Sequence, residues 1–205
     1  MIKDLGGRVA SVWETLRPVT KKMLVGEMRS EPSAPRTSDP QYDAHADWEL
    51  SSLLFALDEL SVSKDLKNDA NKMSEMSKLA AVCVRMLETQ SASAEIFIQL
   101  ASRAVRNNDY ARLDRLADRL AERYSASEIA EIIRQSDSPQ IRALAYETLA
   151  MLPVSTLEPL LNDSLYGEIA INALSQKAYE FDSEEANAAL ERMRFDSFGT
   201  EGPNN

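Results

Sequence analysis

The 205-residue chain holds one cysteine, Cys83, and one histidine, His45. A lone cysteine excludes an intrachain disulfide, and a reducing compartment is the simpler setting for it. His45 stands between Ala44 and Ala46 with no periodic carboxylate or cysteine beside it, so neither a metal site nor a catalytic dyad is expected there. Glycine is scarce, at six residues, and no Gly-x-x-x-x-Gly-Lys or Gly-x-Gly-x-x-Gly occurs. The Gly6-Gly7 pair is too short to cradle a phosphate. No run approaches the roughly 18 apolar residues of a membrane span, and the N-terminus lacks the continuous apolar core of a signal peptide. A cytoplasmic protein without catalytic, cofactor or metal residues is the expectation.

What is present favours helix. Ala, Leu, Glu and Arg are abundant while aromatics make up 6%, a composition poor in strand formers. The 23 basic and 33 acidic residues give a net charge of −10, which argues against binding to nucleic-acid phosphates.

Charge is unevenly placed. Residues 1–36 carry seven bases and four acids, a net of +3, which leaves −13 on the remainder. Within this arm, Ile2, Leu5, Val9, Val12, Leu16, Val19 and Met23 recur at spacings of 3-4-3-4-3-4, a narrow apolar seam with Trp13 beside it. Pro18 removes an N–H and disfavours helical geometry at Arg17, so the helix should break or kink there. So marginal a helix needs a surface: the protein's own body, a partner protein, or an anionic membrane reached through residues 1–25. Ile2, Leu5, Val9, Val12, Trp13, Leu16, Arg17, Lys21 and Lys22 are the candidate partner-binding residues. The stretch Trp13-Glu14-Thr15-Leu16-Arg17-Pro18-Val19-Thr20 resembles the membrane-apposed N-terminal segment of the ferredoxin-like subunit of respiratory complex I. That family's cluster-ligating cysteine sets are absent, so the resemblance implies a docking mode and not electron transfer.

Residues 1–29 thus read as a basic amphipathic arm and 30–46, with Pro32, Pro35 and Pro40, as a linker. An all-helical domain follows over 47–193. Asp47 is the candidate cap of a helix with Trp48, Leu50, Leu53, Leu54, Leu57 and Leu60 inward. A longer helix runs from Leu66 to Leu87, with Met73, Met76 and Met86 as core fillers and Cys83 as a buried, inert thiol. A third carries Ile96, Phe97, Leu100, Ala101, Ala104 and Val105, and stops at Asn107-Asn108.

Residues 109–193 read as one helical hairpin copied three times. Ser127-Glu128-Ile129-Ala130-Glu131-Ile132-Ile133 superposes on Ser155-Thr156-Leu157-Glu158-Pro159-Leu160-Leu161 at an offset of 28. Leu116-Ala117 aligns with Leu144-Ala145 at 28, and Leu144-Ala145 with Ile169-Ala170 at 25. Asp109 is a candidate cap with Tyr110 on the inward face behind it. Ser125…Glu128 and Ser155…Glu158 have the form of capping boxes, Asp137-Ser138-Pro139 supplies a cap with proline in the first turn, and Asp182-Ser183-Glu184-Glu185 caps the last helix. From Phe195 the chain reads as a frayed tail, 194–205.

The middle copy, Asp137-Ser138-Pro139-Gln140-Ile141-Arg142-Ala143-Leu144-Ala145-Tyr146-Glu147-Thr148-Leu149 with Leu157-Glu158-Pro159-Leu160-Leu161-Asn162-Asp163, resembles a HEAT-type repeat. The likeness rests on an acidic turn, an arginine after an aliphatic residue, and a small residue where paired helices touch. Asp114 and Gly167 replace that arginine in the outer copies. The resemblance implies an all-α fold: a right-handed stack of antiparallel helical hairpins, an α-solenoid, here with an extended N-terminal arm. It also implies a curved scaffold that binds another protein or a multi-subunit complex. The expected function is a non-catalytic interaction scaffold or accessory subunit. The alternative is a protein peripheral to the inner face of a membrane, anchored by the arm.

Overall fold

A computed structural model describes residues 5–29, 42–63 and 69–199, without the side chains of 196–199. The described residues are helical, with turns between, and include no strand. The expected linker over 30–41, Ile2, and the expected helix start at Leu66 lie outside them. The chain forms two compact units, Met1–Ser91 and Ala92–Asn205.

The first unit contains α1 (Gly7–Thr15), α2 (Pro18–Arg29), α3 (Ala44–Ser61) and α4 (Ala70–Gln90). The single seam expected over residues 2–23 becomes two helices because Pro18 starts a new one at its first position, where a missing N–H is harmless. Helix α3 is central, lying against α1, α2 and α4. Its Leu50, Leu53, Leu54 and Leu57 are fully buried, each contributing roughly 1.5–3 kcal/mol of transfer free energy. Leu5, Val9, Leu16, Met23 and Leu24 of the arm are buried too, with α1 lying on α3 and α2 on α4. Arg85 of α4 donates to the Glu27 carboxylate of α2 at 2.6 Å.

Helix α3 starts at Ala44, three residues before the expected boundary. The cap is Asp43, whose carboxylate accepts the Ala46 N–H at 2.9 Å, and His45 is therefore helical rather than part of a linker. Trp48, expected inward with the leucines, is 62% exposed. Cys83, Met76 and Met86 are buried as expected, whereas Met73 is exposed.

The second unit contains α5 (Ala94–Arg106), α6 (Tyr110–Arg123), α7 (Ala126–Gln135), α8 (Pro139–Met151), α9 (Val154–Leu157), α10 (Gly167–Glu180) and α11 (Glu184–Gly199). Helix α5 lies against α6, α7 and α8, and α8 also against α6, α7 and α10. Phe97, Leu120, Ile129, Ile132 and Ile141 are among the large side chains closed off from solvent. Asn108, with φ of 53°, takes the left-handed conformation that ends α5. The side chains of Asp109 and Ser125 accept N–H groups three residues on, as expected, and within the two expected cap segments the acceptors are Ser138 and Ser183.

Four expectations for the second unit need correction. Tyr110 faces solvent, not the core. Ser155 caps nothing: α9 is a single turn after Pro153, continued as a 3-10 turn over Glu158–Leu160 in which Pro159 offers no N–H to an α-helical ladder. Glu128 does not close a reciprocal box on Ser125. Its carboxylate instead accepts the Ala94 N–H at 3.0 Å and so caps α5. Helix α11 continues through Gly199 instead of fraying after Met193.

Candidate functional site

A connected polar group of the first unit is the buried carboxylate of Glu49, 1% exposed. It projects from α3 at the N-terminus of α2, where the helix dipole and unpaired N–H groups favour an anion. It accepts the Arg17 backbone N–H at 2.5 Å, the Arg17 Nε–H at 3.1 Å and the Thr20 hydroxyl. Arg17 also donates two bonds to Asp43, at 2.9 and 2.6 Å. One guanidinium therefore ties the start of α2 to the start of α3. Burial opposes ionisation of Glu49, but the hydrogen bonds from Thr20 and Arg17 outweigh it and hold the pKa below its ordinary value. The Arg17 bond, with the Ala46 N–H second, holds Asp43 well below the usual carboxylate range. Nearby, Asp47 accepts the Tyr42 hydroxyl and, at 2.8 Å, the Ser91 hydroxyl. Every oxygen in this cluster is occupied by a structural partner, which is the arrangement of a clamp.

The opposite face of α3 is unlike it. His45, Trp48, Ser52, Phe55, Glu59 and Val62 follow at spacings of 3-4-3-4-3, which places all six on one stripe of the helix and its C-cap. Trp48 is 62%, Phe55 53% and Val62 78% exposed. His45 meets Trp48 edge-on, with ring centroids 5.7 Å apart. Arg8 of α1 sits over the Phe55 ring at 5.5 Å and pairs with Glu59 at 2.7 Å, so the stripe is continuous with the outer face of α1. Three large apolar side chains in helical register on an outer face are a feature that core formation leaves unexplained.

The expected arm residues separate by burial. Leu5, Val9 and Leu16 are buried in their own unit, and Val12 and Trp13 are half-buried. Arg17 is held in the clamp, Lys21 donates to the Glu14 carbonyl at 3.1 Å, and Lys22 is exposed. The seam therefore spends much of its apolar surface on α3. Trp48, Phe55 and Val62 were not among the expected docking residues. Their signal was the second stripe on α3, hidden because Trp48 sits next in sequence to the stronger leucine pattern.

Among the described residues no group of three His, Cys, Asp or Glu side chains could hold a metal ion, and no helix is long and apolar enough to cross a membrane. The fold defines the class as all-helical. Comparison with known protein families, with curated proteins and with solved structures finds no match.

Proposed function

We propose that the protein is a non-catalytic interaction scaffold or accessory subunit of a larger complex. It docks through the helical surface that α3 shares with α1 of the N-terminal arm. The observation that carries this reading is the stripe of Trp48, Phe55 and Val62, exposed at helical spacing. Its 3-4 rhythm suits a partner helix that presents a matching apolar seam, and small Ser52 leaves room for close approach. Tryptophan and aromatic anchors flanked by an arginine are the residue types that dominate docking energetics.

The second unit is read as a HEAT-like, right-handed stack of hairpins serving as a rigid wall. Support comes from the 28-residue offset in the sequence and from the order α6 to α11. Anchoring to an anionic membrane draws less support, since Leu5, Val9 and Leu16 face the protein's own body.

The test is affinity capture with the tagged full chain and with a Trp48→Glu, Phe55→Glu variant, after far-UV circular dichroism shows equal helicity. A stoichiometric partner should be retained by the native chain and lost from the variant. Equal retention by both would rule out this face.

A further inference from the structure

We infer that the occupant of the α3 stripe is a second copy of this chain, lying antiparallel across a twofold axis that passes at Ser52. This rests on the docking reading above and adds the partner. A twofold interface must be self-complementary, with residue i meeting j and j meeting i, and the part of the stripe from His45 to Glu59 meets that condition. His45 and Glu59 lie seven residues on either side of Ser52, so reversal of the helix brings each imidazole level with the partner copy's carboxylate. Trp48 lies four residues before Ser52 and Phe55 three after it. With a rise of about 1.5 Å per residue, the two rings come level to within about 1.5 Å. Each indole then faces a phenyl ring of the other copy, a pairing that aromatic quadrupoles favour in offset or edge-on geometry.

The centre of the stripe fits the same arrangement. Ser52 is the smallest of the six side chains, and a small residue at the crossing point lets two helices approach while larger neighbours interdigitate on either side. A parallel pairing would set Glu59 against Glu59 and His45 against His45, placing like groups together. The Arg8 guanidinium, already on Glu59 and Phe55, lies at the rim beside the His45–Glu59 level.

The experiment uses the full chain in two measurements. Sedimentation equilibrium across a concentration series should give a species of twice 22.8 kDa, and Phe55→Glu should return it to the single-chain mass with unchanged helicity. A Ser52→Cys variant treated with a short bis-maleimide should cross-link to itself. The native chain, whose one thiol is the buried Cys83, should not. A native chain that stays single at every concentration overturns the inference. So does a dimer that survives Phe55→Glu and leaves Ser52→Cys uncross-linked, since it must form elsewhere. A single-mass protein that still captures a different partner, and loses it on Phe55→Glu, overturns self-pairing while leaving the docking reading intact. If mass and capture are both indifferent to the substitution, both readings fall.

Discussion

Glu49 of α3 and Arg17 at the start of α2 are joined twice, through the Arg17 backbone N–H at 2.5 Å and through its Nε–H at 3.1 Å. The carboxylate thus serves as the cap that α2 does not carry in its own sequence. Because it is 1% exposed, its loss leaves the buried Thr20 hydroxyl and the part-buried Arg17 N–H groups without this acceptor. Glu49→Ala should destabilise the first unit by about 2–3 kcal/mol. Glu49→Gln, which keeps an acceptor but no charge, should cost less. Urea unfolding followed by tryptophan fluorescence measures both, and a Glu49→Ala midpoint equal to the native one would remove the clamp from the stability argument.

The same clamp fixes a pH dependence. Glu49 and Asp43 have folded pKa values below their ordinary ones, so below neutrality the unfolded chain takes up protons first. Stability therefore rises with pH in that window. The contribution is complete above the ordinary carboxylate range near pH 4 and is lost as pH falls through the lower folded values. The native chain should lose melting temperature steeply below about pH 4. Asp43→Asn should start lower and fall less. Parallel melting curves of the two proteins in acid would contradict this.

In the second unit Gly167 starts α10 against the preceding turn. A Cβ there would lie 2.9 Å from the Leu161 carbonyl oxygen, which belongs to the backbone and cannot swing aside. Gly167→Ala should cost about 1–3 kcal/mol despite the better helix propensity of alanine. Thermal unfolding monitors it, and a stabilised variant would show that the turn yields.

Glu128 and Glu158 occupy equivalent places in two sequence copies but face different partners. Glu128 caps α5 at Ala94, while Glu158 pairs with the exposed Arg192. Glu128→Ala should cost about 1 kcal/mol, and Glu158→Ala less than about 0.5 kcal/mol. Chemical denaturation of the two variants side by side decides it, and the reverse order would refute the assignment.

On α3, Leu50 and Trp48 lie two residues apart and differ in role. Leu50→Ala should lose about 2–5 kcal/mol by opening a cavity, whereas Trp48→Ser should change the stability of the isolated chain by less than about 0.5 kcal/mol. A large stability loss at Trp48 would place it in the core after all.

Much of the helical outline could be read from the chain because its signals are local. A serine or aspartate accepting an N–H three residues ahead, or Pro18 and Pro139 at a first turn, acts within one turn of backbone, and those boundaries agree to within a few residues. The places that differ are those where a group could choose a distant partner. Asp43 displaced Asp47 as the cap of α3 because Arg17, far away in sequence, holds it in place. Glu128 left Ser125 for Ala94 in the same way. Apolar surface followed the same logic: the leucines of α3 announced a core, but periodicity alone does not say whether Trp48 joins it.

By itself, then, the sequence determined that this protein is all-helical, where several of its helices are capped, and that its arm carries an apolar seam broken at Pro18. Tertiary structure decided what the seam covers, turning Leu5, Val9 and Leu16 onto the protein's own helices, and which face of α3 remains outward. The physical reason is that helix propensity and capping act over a few residues, whereas burial depends on which surfaces meet. The stripe of Trp48, Phe55 and Val62 was left outside only once α1, α2 and α4 had taken the other faces.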